Sequence, residues 1–119
     1  MGADTDRRAR EILKANDRGG YTVPNGRVYP FQWNWDSALV ALGFATFDLD
    51  RAWREIETLF EAQWEGGFQP HIVFWKDDEG YFPGPSVWGT SHTPRTSGIT
   101  QPPVAAYMEI GRASCRERV

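Results

Sequence analysis

The chain is poor in the residues that carry metal and redox chemistry. Among 119 residues there is one cysteine, Cys115, and there are two histidines, His71 and His92. A lone cysteine excludes an internal disulfide and a cysteine-based metal site. Neither histidine has a paired acidic cluster beside it, so no metal site is expected, and His71 reads as a hydrogen-bonded residue behind a pocket. Basic residues never gather into a block, and the formal net charge is −3. That argues against a nucleic-acid partner and against an anionic membrane surface. No run of about 18 apolar residues exists, so no membrane-spanning helix is expected. The segment Met1–Arg10 is polar and lacks the apolar stretch of a secretory signal, which makes the cytoplasm the default location. Gly66-Gly67 is followed by no lysine and opens no helix, which excludes a phosphate loop. No G-x-S-x-G frames Ser97-Gly98, and Asp77–Gly80 lacks the alternating spacing of a calcium loop. No cofactor is expected.

What the chain has in excess is aromatic side chains, at 14% with six tryptophans. They concentrate in Tyr29-Pro30-Phe31-Gln32-Trp33-Asn34-Trp35-Asp36-Ser37, where rings recur at 29, 31, 33 and 35. Pro30 opposes a helix interior and biases Tyr29 toward extended geometry. In an extended segment residues two apart share a face. The expectation is a wall of Tyr29, Phe31, Trp33 and Trp35 backed by Gln32, Asn34 and Asp36. Flat rings beside amide and carboxylate groups suit a sugar, whose C–H faces pack on aromatics while its hydroxyls need polar partners. The competing reading is a buried edge strand whose polar groups cap the next helix.

Around this strip the periodicity is mainly helical. Asp4 or Thr5 caps a first helix running to about Asn16, with Ala9, Ile12 and Leu13 at helical spacing. Tyr21–Val23 and Arg27–Tyr29 flank a turn at Asn25-Gly26 and form a possible hairpin. Asn34 or Asp36 caps a second helix, about Trp35 to Phe47, apolar on nearly every side and so expected to be buried all round. Asp48 or Asp50 caps a third, about Leu49 to Glu65, with a Trp53, Ile56, Phe60, Trp64 stripe and a wet face that includes Arg51 and Glu55. A buried helix joined by a short loop to an amphipathic one is the hairpin that builds helical toroids and solenoids. A short extended run, Phe68–Trp75, and a long loop, Asp77–Thr96, follow. A loop of that length is expected to be functional or mobile. Thr100 caps a further helix, with Gln101, Pro102 and Pro103 in its first turn.

The segment Glu109–Val119 breaks the character of the chain. It holds no aromatic residue and carries the only cysteine. Written back into codons it resembles a sequencing-adapter read-through, so 109–119 is read as a non-native tail. The natural chain is expected to continue past Met108.

Three separated motifs, Tyr29–Ser37, Gly67-Phe68-Gln69-Pro70-His71-Ile72-Val73-Phe74 and Thr96-Ser97-Gly98-Ile99-Thr100-Gln101-Pro102-Pro103, together resemble glycoside hydrolase family 63. The likeness is greatest to its bacterial glucosylglycerate and mannosylglycerate hydrolases. The resemblance implies a mainly α fold, with residues 1–108 as the first helical hairpins of an (α/α)6 toroid. It implies hydrolysis of an α-glycosidic bond with inversion, which needs a carboxylic acid and a carboxylate base set apart to admit water. It places both beyond Met108, so no catalytic residue is assigned. It matches Tyr29, Trp33, Asn34, Trp35 and Asp36 to a substrate-contacting strip, Tyr81 to a loop that closes over substrate, and Gln101 to a substrate-binding glutamine. The partner implied is a small carbohydrate such as glucosylglycerate. A non-catalytic carbohydrate-binding module is the alternative.

Overall fold

The computed structural model describes residues 2–106; the expected tail at 109–119 and any part of the expected further helix beyond Ala106 lie outside the described residues. The elements in chain order are α1 (Gly2–Ala15), β1 (Gln32–Trp33), α2 (Asn34–Phe44), α3 (Leu49–Glu61), β2 (Ile72–Val73) and α4 (Pro85–Trp88). Helices dominate, and α2 and α3 form the expected hairpin.

Asp48 caps α3, its carboxylate accepting from Arg51 N at 3.1 Å. The inward face of α3 is Ala52, Glu55, Ile56 and Leu59, with Ala62 one turn on. Of the expected stripe only Ile56 is fully buried, and Trp53, Phe60 and Trp64 are half-buried. Leu59 and Ala62 share a core with Ala38 of α2, so this side of α3 faces the hairpin partner. Arg51 and Glu55 consequently leave the expected wet face, and Glu55 is 0% exposed.

The all-round burial expected of α2 in a toroid is not reached by the single hairpin of the described residues. Ser37, Ala38, Ala41 and Phe44 are buried, while Trp35, Leu39 and Leu42 stand exposed along a second line. Positions i, i+4 and i+7 share a helix face, so a single covering helix leaves that line open. Helix α1 has no buried residue, and Ile12 is exposed.

β1 pairs antiparallel with β2, Gln32 opposite Val73 and Trp33 opposite Ile72. The far side of β2 is occupied by the end of the long loop. Phe74 N donates to Arg95 O, and Ser97 N donates to Ile72 O. Thr96 and Ser97 are fully buried. The segment read as loop to Thr96 therefore ends as a third extended strip, and it also contains α4. The expected hairpin at Asn25-Gly26 is a wider turn instead, in which Asn25 Oδ1 accepts from Arg27 N and Val28 N. Helical geometry near Thr100 starts only at residue 104, after both prolines.

Two apolar clusters result. Ala38, Leu59, Ala62, Val73 and Ala105 fill the space between α2, α3 and the sheet. Phe31, Trp33, Ile72 and Phe74 form the other, with Tyr81 and Trp88 against it.

Candidate functional site

The period of two holds from Tyr29 to Trp33 and no further. Phe31 and Trp33 share the aromatic cluster, 6.1 Å between centroids, and Tyr29 meets Trp33 edge-on at 5.3 Å. Gln32 points the other way, into the core, and is fully buried. At Asn34 the chain turns into α2, so Trp35 and Asp36 belong to a helical turn and not to the ring wall. The alternation expected through Trp35 is corrected accordingly: helical geometry rotates successive residues by about 100° instead of 180°.

Tyr81 joins the rings from the loop. It packs edge-on against Phe31 at 5.3 Å and Trp33 at 5.5 Å. Burial, then the nearby Tyr29 phenol, push the Tyr81 hydroxyl above its ordinary pKa. Tyr29, Trp33 and Tyr81 are thus brought together from segments about fifty residues apart. Tyr81 also lines a cavity of about 510 Å³ with Phe82, Asp77, Glu79 and Arg95.

At the start of α2 sit the remaining candidates. The position before the helix is Trp33, whose side chain makes no capping bond. The cap is supplied from a distance: Gln101 Oε1 accepts from Trp35 N at 3.1 Å. Trp35 is 43% exposed. Asp36 lies in the first turn, half-buried. Burial pushes its carboxyl above the ordinary range, and its own backbone N–H holds it down in part. Negative charge in the first turn is favoured by the helix dipole.

Asn34 is held at the helix start by side chain and backbone. It is buried, its Nδ2 donates to Pro70 O at 3.3 Å, and its backbone N donates to His71 O. Its Oδ1 has no hydrogen-bond partner among the described residues. It lines a separate cavity of about 100 Å³ beside Phe60 and Gln69. Tyr81 and Asn34 therefore open on different cavities.

His71 does sit as a hydrogen-bonded residue: Nδ1 is 2.6 Å from Ser97 Oγ, and its ring meets Trp88 edge-on. Burial lowers its pKa.

A polar network missed in the sequence underlies the β1–α2 junction. Glu55 Oε1 accepts from Ser37 Oγ at 2.7 Å and Thr22 N at 3.0 Å. Its Oε2 accepts from Thr22 Oγ1 at 2.8 Å and pairs with Arg51 Nη1 at 3.0 Å. Arg51 in turn grips Asp17 through Nε and Nη2. Gln32 Nε2 donates to Ser37 Oγ, and Trp75 Nε1 donates to Gln32 Oε1. Burial pushes the Glu55 carboxyl up, against the pull of Ser37, Arg51 and Thr22. A signal existed: Glu55 is three residues after Ala52 and four before Leu59, on the apolar line of α3.

The comparisons with known proteins agree with this architecture. The family model for the mannosylglycerate hydrolase MGH1-like glycoside hydrolase domain matches residues 29–112, reaching past Met108 into the segment read as foreign. Mannosylglycerate hydrolase MGH1 of Selaginella moellendorffii is 60% identical over 98 residues, which are 82% of this chain and 20% of that enzyme. Glucosylglycerate hydrolase of Mycolicibacterium hassiacum is 48% identical over 106 residues, 83% of this chain and 24% of that enzyme. The crystal structure of a GH63 mannosylglycerate hydrolase from Thermus thermophilus, in complex with Tris and D-glycerate, superposes with a TM-score of 0.85 at 47% identity. That match covers 95% of this chain and 29% of the crystallised one. The chain thus spans less than a third of each of these relatives. It belongs to the MGH1-like family of glycoside hydrolase domains.

Proposed function

We propose that residues 1–108 are the N-terminal part of an inverting α-glycoside hydrolase acting on small α-glycosides of glycerate, and that they supply part of its sugar pocket. Residues 109–119 are a non-native tail in this reading. Tyr29, Trp33 and Tyr81 offer the rings, Asp36 and Gln101 the polar groups, and Trp35 an exposed indole at the same helix start. The observation that carries the proposal is that Tyr81 packs from a loop onto Trp33 of the strip, the ring that also meets Tyr29. A loop ring that packs on a sugar-facing ring can exclude bulk water when substrate binds. Asn34 holds the helix start from below through Pro70. The general acid and base of an inverting reaction come from residues after Met108.

The test is made in the full-length enzyme that continues this segment. Asp36→Ala is expected to lower kcat/KM for glucosylglycerate or mannosylglycerate about 10- to 100-fold, the range for a hydrogen bond to a charged group. Unchanged turnover would remove Asp36 from the pocket. Sugar binding without hydrolysis by the wild-type enzyme would favour the binding-module alternative.

A further inference from the structure

The buried carboxylate of Glu55 is an unusual feature in so small a region, because an ionised group without full compensation is strongly disfavoured in an apolar interior. Here the compensation is directional. Three hydrogen bonds, from Ser37 Oγ, Thr22 N and Thr22 Oγ1, and an ion pair with Arg51 Nη1 meet the two oxygens. A carboxylate offers acceptor sites only. Ser37 must therefore donate its one proton to Glu55, and its oxygen is left to accept from Gln32 Nε2 at 3.0 Å. Gln32 Oε1 then accepts from Trp75 Nε1 at 2.8 Å. Thr22 is set in the same way, donating to Glu55 and accepting from Arg51 Nη2 at 3.1 Å. Both hydroxyls of the network are thereby fixed in one orientation.

The two α2–β1 members of this network flank the sugar-facing residues. Gln32 precedes Trp33, and Ser37 follows Asp36. Between them the backbone passes from strand to helix with no local side-chain cap. We propose that Glu55 is a positioning residue: through Ser37 and Gln32 its carboxylate holds the strand-to-helix passage, and with it Trp33, Trp35 and Asp36, in the geometry that meets the sugar. The inference rests on the function proposed above. The outer arm, Arg51 to Asp17, anchors the network to the loop after α1 and does not touch the passage.

The two arms give the experiment. Amide exchange at residues 33–37, melting temperature, kcat and KM are measured for Ser37→Ala, Glu55→Gln and Asp17→Asn in the full-length enzyme. Ser37→Ala and Glu55→Gln are expected to speed exchange at 33–37 about tenfold, the scale of one charged hydrogen bond. At a temperature where each variant is folded, kcat on the glycosylglycerate falls about tenfold with a smaller rise in KM, as misplacement of a bound substrate predicts. Asp17→Asn lowers the melting temperature and leaves both exchange at 33–37 and kcat unchanged. Wild-type exchange and kcat in Ser37→Ala, with only the melting temperature lowered, would overturn the proposal. So would an Asp17→Asn effect at 33–37 as large as that of Ser37→Ala. Should the wild type cleave no α-glycoside, the functional reading fails, and exchange at 33–37 still decides whether Glu55 holds the passage.

Discussion

Ser37 Oγ lies 2.7 Å from Glu55 Oε1, and this one contact ties the start of α2 to a charge buried in the middle of α3. Removing the carboxylate takes the acceptor from Arg51 Nη1, Thr22 N and the Thr22 and Ser37 hydroxyls, while Arg51 keeps its bonds to Asp17. Glu55→Ala is expected to destabilise the fold by about 3–5 kcal/mol, the range for breaking a buried ion pair from one side. Urea denaturation of the variant beside wild type measures it. A loss within experimental error would show that water replaces the carboxylate.

Trp75 closes the far end of the same network. Trp75→Phe keeps a ring but deletes the Nε1–H that donates to the fully buried Gln32 Oε1. An unsatisfied buried acceptor costs about 1–3 kcal/mol. The expected result is a loss in that range by chemical denaturation.

Acid should act on Asp17 with a definite sign. The Arg51 hydrogen bonds hold its carboxyl below the ordinary range, outweighing partial burial. The folded state therefore binds its proton less tightly than the unfolded chain. The stability it contributes is present above the unfolded value and is lost as pH falls through the folded one. Asp17→Asn should flatten the stability profile below about pH 4. A profile as steep as wild type would place the acid sensitivity elsewhere.

Gln101 has two separable roles. As the cap on Trp35 N it contributes about 1 kcal/mol, which Gln101→Ala should remove. Gln101→Glu keeps an acceptor at a helix start and should retain that stability. Activity of the full-length enzyme should fall in both, because only the amide offers a sugar hydroxyl a donor as well as an acceptor.

The open line on α2 predicts dye binding by the 119-residue chain. Trp35, Leu39 and Leu42 are each more than two-fifths exposed. A contiguous apolar patch of this kind binds ANS and promotes association. Leu39→Lys with Leu42→Lys should reduce ANS fluorescence without lowering the melting temperature.

Much of the local structure follows from neighbours in the chain. Asp48 before a helical period and the ring alternation up to Trp33 are short-range signals, and α2 and α3 start where those signals place them, although α2 ends at Phe44 and α3 at Glu61, short of the expected Phe47 and Glu65. The family is legible for the same reason, since three motifs of contiguous residues carry it. The side-chain partners of those motifs are not legible. Gln101 reaches Trp35 across 66 positions, Trp75 reaches Gln32 across 43, and Tyr81 finds Trp33 only because the long loop folds back over the sheet. Glu55 reads as one more wet-face carboxylate until Ala52 and Leu59 turn its side of α3 inward. Periodicity along one segment says which residues share a face. Which face is buried, and which buried charge meets its donors there, depends on how closely α2 packs against α3, and that is a property of the packed pair.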